Sequence, residues 1–174
     1  MRFYEFYLFF IWYFKKTMLF LSPSINQGKI PKKFTCDGKN VNPLFLWQSQ
    51  VSNGIKTFAI VVDDPDAVPV SGSVHAHFAI VNIPSFVQKL VENFDIETLE
   101  NEGALVLNND SHTTGYSGPC PPPGSPHTYR FALYALNKRL PITNRNTRLT
   151  LEIFEGTFQK NIISKASFEA SYQR

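Results

Sequence analysis

Cysteine is scarce in this chain: there are two in 174 residues, Cys36 and Cys120, and they do not form a Cys-x-x-Cys pair. Without that spacing a structural zinc site of the common kind is excluded, and the two are either buried thiols or one disulfide. No His-Glu-x-x-His run and no Gly-x-Ser-x-Gly turn occurs, so neither a metalloprotease helix nor a hydrolase nucleophile elbow can be read. Charge of one sign never accumulates, since 17 basic and 14 acidic residues are spread along the chain for a net charge of +3. A phosphate-tracking protein gathers Lys and Arg on one face, so nucleic acid is not expected as a partner. Apolar runs of the roughly 20 residues that a membrane helix needs are also missing. The longest apolar stretch is residues 1–14, MRFYEFYLFFIWYF, closed by Lys15 and Lys16. With Arg2 as a thin basic region, Glu5 interrupting it and no Ala-x-Ala-like site, it reads as an interfacial anchor, a degenerate export signal or a leader before a start at Met18. Residues 1–17 are therefore set apart as an extension, and residues 18–174 are taken as one domain with a single core. The location that follows is the cytoplasm, or the periplasm or envelope if the extension is a signal or anchor; membrane contact depends on the same reading.

What the chain does hold is proline and phenylalanine, 12 and 16 residues, a balance that favours a β-rich, turn-rich domain over a helical bundle. Strand-like runs cover residues 41–47, 56–62, 74–83 and 129–136. The second is continuously apolar and so buried on both faces. Strict alternation over 74–83 puts His75, His77, Ala79 and Val81 on one face. Residues 146–156, NTRLTLEIFEG, allow a helix with Leu149, Ile153 and Phe154 inward and Gly156 as its cap, and residues 161–171 are a weaker helical candidate. Residues 88–102 read as a loop with a helical turn. Residues 108–126 hold Gly115, Gly118, Gly124 and five prolines, which exclude regular structure for most of that length. The expected architecture is an antiparallel β core with one or two helices late in the chain.

Ionisable residues crowd behind the second strand, where DDPDAVPVSGSVHAHF runs from Asp63 to Phe78. An acidic cluster alone is usually a solvated turn, and a lone buried histidine is usually a satisfied core residue. Here His77 lies within a strand and His127 just after the proline-rich loop, so with Asp64 and Asp66 they would form a small polar site in apolar walls. The run Gly118-Pro119-Cys120-Pro121-Pro122-Pro123-Gly124 has few free torsions and would present such a site with little ordering cost. His112 has no such setting and reads as an exposed loop residue.

Four segments in order carry a resemblance: Asp64-Pro65-Asp66-Ala67; His77-Phe78 with Val81-Asn82-Ile83-Pro84; Tyr116-Ser117-Gly118-Pro119-Cys120-Pro121-Pro122; and His127-x-Tyr129. Together they resemble the phosphatidylethanolamine-binding protein family, in particular its bacterial and archaeal YbhB/YbcL, or Raf kinase inhibitor-like, branch. The opening segment Ile30-Pro31 and residues 34–40, with Pro43 and Trp47, is similar to that branch as well. The resemblance implies a PEBP-like fold, two antiparallel sheets with Greek-key topology, and a small anion pocket formed by Asp64, Asp66, His77, Pro119, Pro121, Pro122, His127 and Tyr129. It implies imidazole N–H groups and the Tyr129 hydroxyl donating to a phosphate, with Asp64 and Asp66 orienting His77 or His127 or receiving an amine. A carboxylate beside a histidine would raise its pKa. The implied ligand is a phosphate-containing small molecule or phospholipid head group, with no catalytic residues, cofactor or metal. The implied partner is a kinase or protease that the protein modulates, with a homodimer as the implied assembly. The resemblance also brings Cys36 near Cys120, where a disulfide would brace the pocket loop. The chain departs from the family in having Thr128 where Arg is usual, Val68 ahead of Pro69, and Val74-His75 before the site strand. The alternatives are a small hydrolase using His77, His127 and Asp64, and a protease-inhibiting module acting through its surface.

Overall fold

The apolar runs become the central strands, one closed by Pro65, one by its own Pro84 and one by Asn137, and the long polar and proline-rich stretches become their connections. The computed structural model describes residues 18–49 and 53–174; the extension read over residues 1–17 lies outside them. In chain order the elements are β1 (Met18–Leu21), β2 (Phe45–Ser49), β3 (Thr57–Asp64), the helical turn α1 (Val68–Ser71), β4 (His75–Pro84), β5 (Lys89–Leu90), α2 (Ile96–Asn101), β6 (Leu105–Val106), β7 (His127–Leu136), α3 (Leu151–Phe158) and β8 (Ile162–Tyr172).

Two antiparallel sheets result, one of three strands in the order β1-β2-β5 and one of five in the order β6-β4-β3-β7-β8. Within the second, β3, β4 and β6 follow one another as neighbours and β7 returns beside β3, which is a Greek key. Its long return connection is the proline-rich segment between β6 and β7, so the topology itself carries that loop across the end of the sheet.

Strand β3 is buried at all eight positions, as its unbroken apolar run requires. Phe58, Ile60 and Val62 enter the core between the sheets; Ala59 and Val61 enter a second core beneath α3, with Tyr134, Leu149, Leu151 and Phe154. Between the sheets, phenylalanines interlock: Phe131 stacks on Phe168 with centroids 4.7 Å apart, and Phe20 bridges Phe45 and Phe168 at 5.5 and 5.3 Å.

Several expectations are corrected. Residues 161–171 are not helical; β8 pairs with β7 from His127↔Tyr172 to Leu136↔Ile162. Its inward residues Ala166, Phe168 and Ala170 recur every second position, a strand period that the polar residues between them obscured. The late helix starts at Leu151, where Thr150 caps it by accepting the Ile153 N–H at 3.3 Å, and it runs through Gly156 to Phe158. Leu149 and Phe154 are buried as read, but Ile153 is 39% exposed. The strand read over 41–47 begins only at Phe45, past Pro43. Strand β4 does not alternate throughout: Val62 pairs with Phe78 and Asp63 with Ala76, so His77 is the extra residue of a bulge. A bulge turns two successive side chains to one side, and Phe78 and Ile80 face the inter-sheet core while Ala79 and Val81 face the helix-side core. His75 and His77 still point the same way, but not with Ala79 and Val81.

Candidate ligand-binding site

The end of the five-stranded sheet is where β3 exits, β4 enters and β7 begins, and each strand delivers ionisable side chains there. Asp64 closes β3, His75 and His77 open β4, and His127 opens β7. His127 shares its face with Tyr129 and Phe131 by simple alternation, and the bulge swings His77 to the same side. Residues 65–67 turn as a short 3-10 segment and α1 follows, with Pro65 and Pro69 at first-turn positions that need no N–H. Val68 ahead of Pro69 is thus accommodated as the first residue of that helical turn.

Four of the candidate residues are deeply buried, Asp64 at 3%, His77 at 5%, His127 at 4% and Tyr129 at 1% exposure. Asp64 Oδ2 lies 2.7 Å from His127 Nδ1. His77 Nδ1 lies 2.7 Å from the Ser117 carbonyl oxygen. So Asp64 orients His127, whereas His77 is oriented by backbone from the proline-rich loop and by no carboxylate. The expected upward push on a site histidine does not hold for His77: burial, with the His75 ring 4.6 Å away, drives its pKa down from 6.5 to about 4. Its ring is neutral at pH 7.

Asp64, His77, Pro121, Pro122 and His127 line a cavity of about 190 Å³, together with Ser71, His75, Ser111, Ser117, Gly118 and Cys120. Asp66, Pro119 and Tyr129 do not. Asp66 Oδ2 accepts the Thr128 N–H at 2.8 Å, so the turn before α1 is tied to β7 through backbone at the position where the family's arginine is absent. The Pro119 carbonyl accepts the Cys36 N–H at 3.1 Å. Tyr129 packs edge-on against His77, ring centroids 5.2 Å apart, and its hydroxyl is buried facing the Asp64 carboxylate. Burial, then the charge and hydrogen bonding of Asp64, push the phenol above its ordinary pKa, so Tyr129 is a packing residue beneath the site. A larger hollow of about 700 Å³ on the three-stranded sheet, between Leu19, Leu46 and Phe86, carries no histidine or carboxylate.

The loop over the cavity is held from three sides. Cys36 and Cys120 form a disulfide with Cα atoms 5.4 Å apart, and both residues are exposed rather than buried. Gly118 N–H donates to Asn40 Oδ1 at 2.7 Å, and the Tyr116 hydroxyl donates to the Phe34 carbonyl at 3.0 Å. Asn109, buried at 5%, donates to the Gly115 carbonyl at 3.0 Å and accepts the Ser111 N–H at 2.9 Å. Asp110 is also fixed. Burial works against its carboxylate, but Arg148 and the Ala76 N–H hold it below the usual range. His112 stays exposed with φ +60°.

Asp63, the first carboxylate of the cluster, is fully buried on the opposite face. It takes Arg130 in two bonds of 2.8 and 2.9 Å and the Leu151 N–H at 2.8 Å, which anchors α3 to the sheet. Sequence reasoning missed this role, and missed His75, Ser71, Ser111 and Ser117 as wall residues. The shared face of His75 with His77 and the place of Ser117 in the third motif were the signals available. Among the described residues no group of three His, Cys, Asp or Glu side chains is placed to hold a metal ion.

Known proteins are similar to this chain in sequence and fold. The family profile described as phosphatidylethanolamine-binding protein matches residues 22–173. A UPF0098 protein of Methanothermobacter thermautotrophicus is 37% identical over 150 residues, covering 86% of this chain and 93% of that protein. A second, from Aquifex aeolicus, is 40% identical over 113 residues and is covered over 63% of its length. The crystal structure of Escherichia coli YbcL superposes with a TM-score of 0.77 at 30% identity, covering 90% of this chain and 98% of that one. With the Greek-key sheet, the ordered motifs and the profile match in agreement, the chain belongs to the phosphatidylethanolamine-binding protein family.

Proposed function

We propose that this protein is a binding protein, not an enzyme, and that its cavity holds a small phosphate-bearing ligand between His127 and His77. The observation that carries the reading is the buried Asp64–His127 pair, 2.7 Å apart, opening on a rigid, covalently braced cavity. With Nδ1 turned to Asp64, a protonated His127 has Nε2–H free for a ligand oxygen, and Asp64 balances its charge. The hydrolase alternative lacks an engaged nucleophile: Ser111 Oγ and Ser117 Oγ lie 3.2 Å from each other, and neither is bonded to an imidazole. A lipid head group or phosphorylated protein as ligand source, modulation of a kinase or protease, and a homodimeric assembly rest on the family resemblance and are proposals of the same kind. Among the described residues no helix is long and apolar enough to cross a membrane. The exposed Cys36–Cys120 bond favours the periplasm or envelope over the cytoplasm as location, because cytoplasmic thiols are kept reduced.

An NMR titration of the full chain with inorganic phosphate and phosphoethanolamine tests the reading. Saturable shifts are expected at the His77 and His127 rings and none at His112. His127→Ala should weaken binding by about 10- to 100-fold, the worth of one hydrogen bond to a charged group. Unmoved site imidazoles in the folded protein would refute the proposal.

A further inference from the structure

The three-stranded sheet carries apolar side chains on both faces. Its inner residues, Phe20 on β1, Phe45 and Trp47 on β2 and Leu90 on β5, enter the core between the sheets. By alternation, the other face of an antiparallel sheet that covers a core is ordinarily polar. Here Leu19 and Leu21 point outward from β1 and Leu46 from β2, and pairing sets Leu21, Leu46 and Lys89 side by side across the three strands. Phe86, in the turn between β4 and β5, joins them at 73% exposure, and Leu19 is 54% exposed. These residues border the hollow of about 700 Å³, and among the described residues that line it only Lys89 is charged. No residue lines both this hollow and the histidine cavity. An exposed apolar face of this kind marks an interaction surface.

The adjoining sequence indicates the partner. The chain that enters β1 at Met18, next to Leu19, is the aromatic run of residues 1–14 followed by Lys15 and Lys16. That run is too short to cross a bilayer, and Phe, Tyr and Trp closed by lysines are the composition of segments that lie in the head-group layer. We propose that the outer face of the three-stranded sheet is a membrane-docking surface, which lays Leu19, Leu46 and Phe86 against an anionic bilayer in continuation of that run. Lys89 can extend its stem over the leucines and its ammonium to the lipid phosphates, alongside Lys15 and Lys16. With no carboxylate on the hollow's wall, nothing there repels the lipid charge. A second copy of the chain would match the leucines but leave the lysines and the aromatic run without a role, whereas a lipid surface uses all three.

Co-sedimentation of the full chain with vesicles of phosphatidylcholine, with and without phosphatidylglycerol, tests the surface. Binding is expected on the mixed vesicles and should weaken about fivefold in Lys89→Gln, the worth of one lysine beside an anionic surface. Phe86→Ser should weaken it about tenfold or more, the worth of an aromatic ring returned to water. That ring is exposed, so the change leaves the core intact, which a thermal melt checks. Trp12→Phe leaves Trp47 as the only tryptophan, and Trp47 lines the hollow, so brominated acyl chains should quench its fluorescence. Failure to bind the mixed vesicles overturns the proposal. Unchanged binding in Phe86→Ser, or an unquenched Trp47, also overturns it, since the aromatic run then acts without the sheet. If inorganic phosphate releases the protein more than chloride of equal ionic strength does, the vesicles are held by the histidine cavity. If a dimer that Phe86→Ser dissociates forms in place of vesicle binding, the face belongs to a second copy; either result overturns the proposal as well.

Discussion

At the scale of single residues, His77 couples stability to pH. Its folded pKa of about 4 lies below its ordinary 6.5, so between those values the unfolded chain binds the proton that the native ring refuses. Stability from this group is fully present above pH 6.5 and is lost as pH falls toward 4. In urea denaturation, wild type should lose about 2–3 kcal/mol more than His77→Gln between about pH 7 and about pH 4.5. Asp63 makes the opposite kind of case. It is fully buried and satisfied by Arg130 and the Leu151 N–H, so Asp63→Ala leaves the helix-start N–H without its acceptor and the half-buried Arg130 guanidinium with Glu152 alone. The expected loss is about 2–3 kcal/mol by denaturant titration, with the helix-side core affected first. Both residues were visible in the sequence as part of one crowded run. That Asp63 anchors a helix while its neighbour Asp64 orients His127 was not, because the two point to opposite faces of β3 and meet partners 67 and 63 residues away.

At the scale of elements, the loop between β6 and β7 is ordered without regular structure. Prolines remove backbone freedom, Asn40 and Phe34 satisfy its polar groups from the β1–β2 connection, and Asn109 does so from within the loop. Gly118 is required there by close approach: a Cβ would overlap the Phe34 carbonyl oxygen and lie 2.7 Å from Asn40 Oδ1. Gly118→Ala should cost about 1–3 kcal/mol and weaken phosphate binding, whereas Gly124→Ala, with nothing within 4 Å of the added carbon but φ +80°, should cost about 1 kcal/mol and leave binding unchanged. Thermal melts and the phosphate titration check both. Strand β8 shows why the C-terminal element was misread. Its outward residues lie on a sheet edge in water, so Lys165, Ser167 and Glu169 carry no β signal of their own, and only pairing with β7 along its whole length decides the conformation.

At the scale of the whole molecule, one covalent bond joins the connection between β1 and β2 to the loop over the cavity. Closing an 84-residue separation removes chain entropy worth about 4–5 kcal/mol from the unfolded state. Reduction, or the Cys36→Ser/Cys120→Ser pair, should lower stability by about 2–5 kcal/mol. Phosphate affinity should fall less, since the Cys36 N–H to Pro119 and Gly118 N–H to Asn40 bonds persist; a denaturation series with and without reductant, followed by the titration, measures both losses.

Read alone, the sequence determined the β-rich class, the strands that run apolar without interruption, the irregular proline loop and, through four ordered motifs, the histidines of the site. These depend on local composition and spacing, which the chain states directly. The tertiary structure decided which carboxylate orients which histidine, the bulge that aims His77, the disulfide, and the strand state of β8. Each of those joins residues far apart in the chain, and its free energy exists only once burial and pairing have brought both partners together.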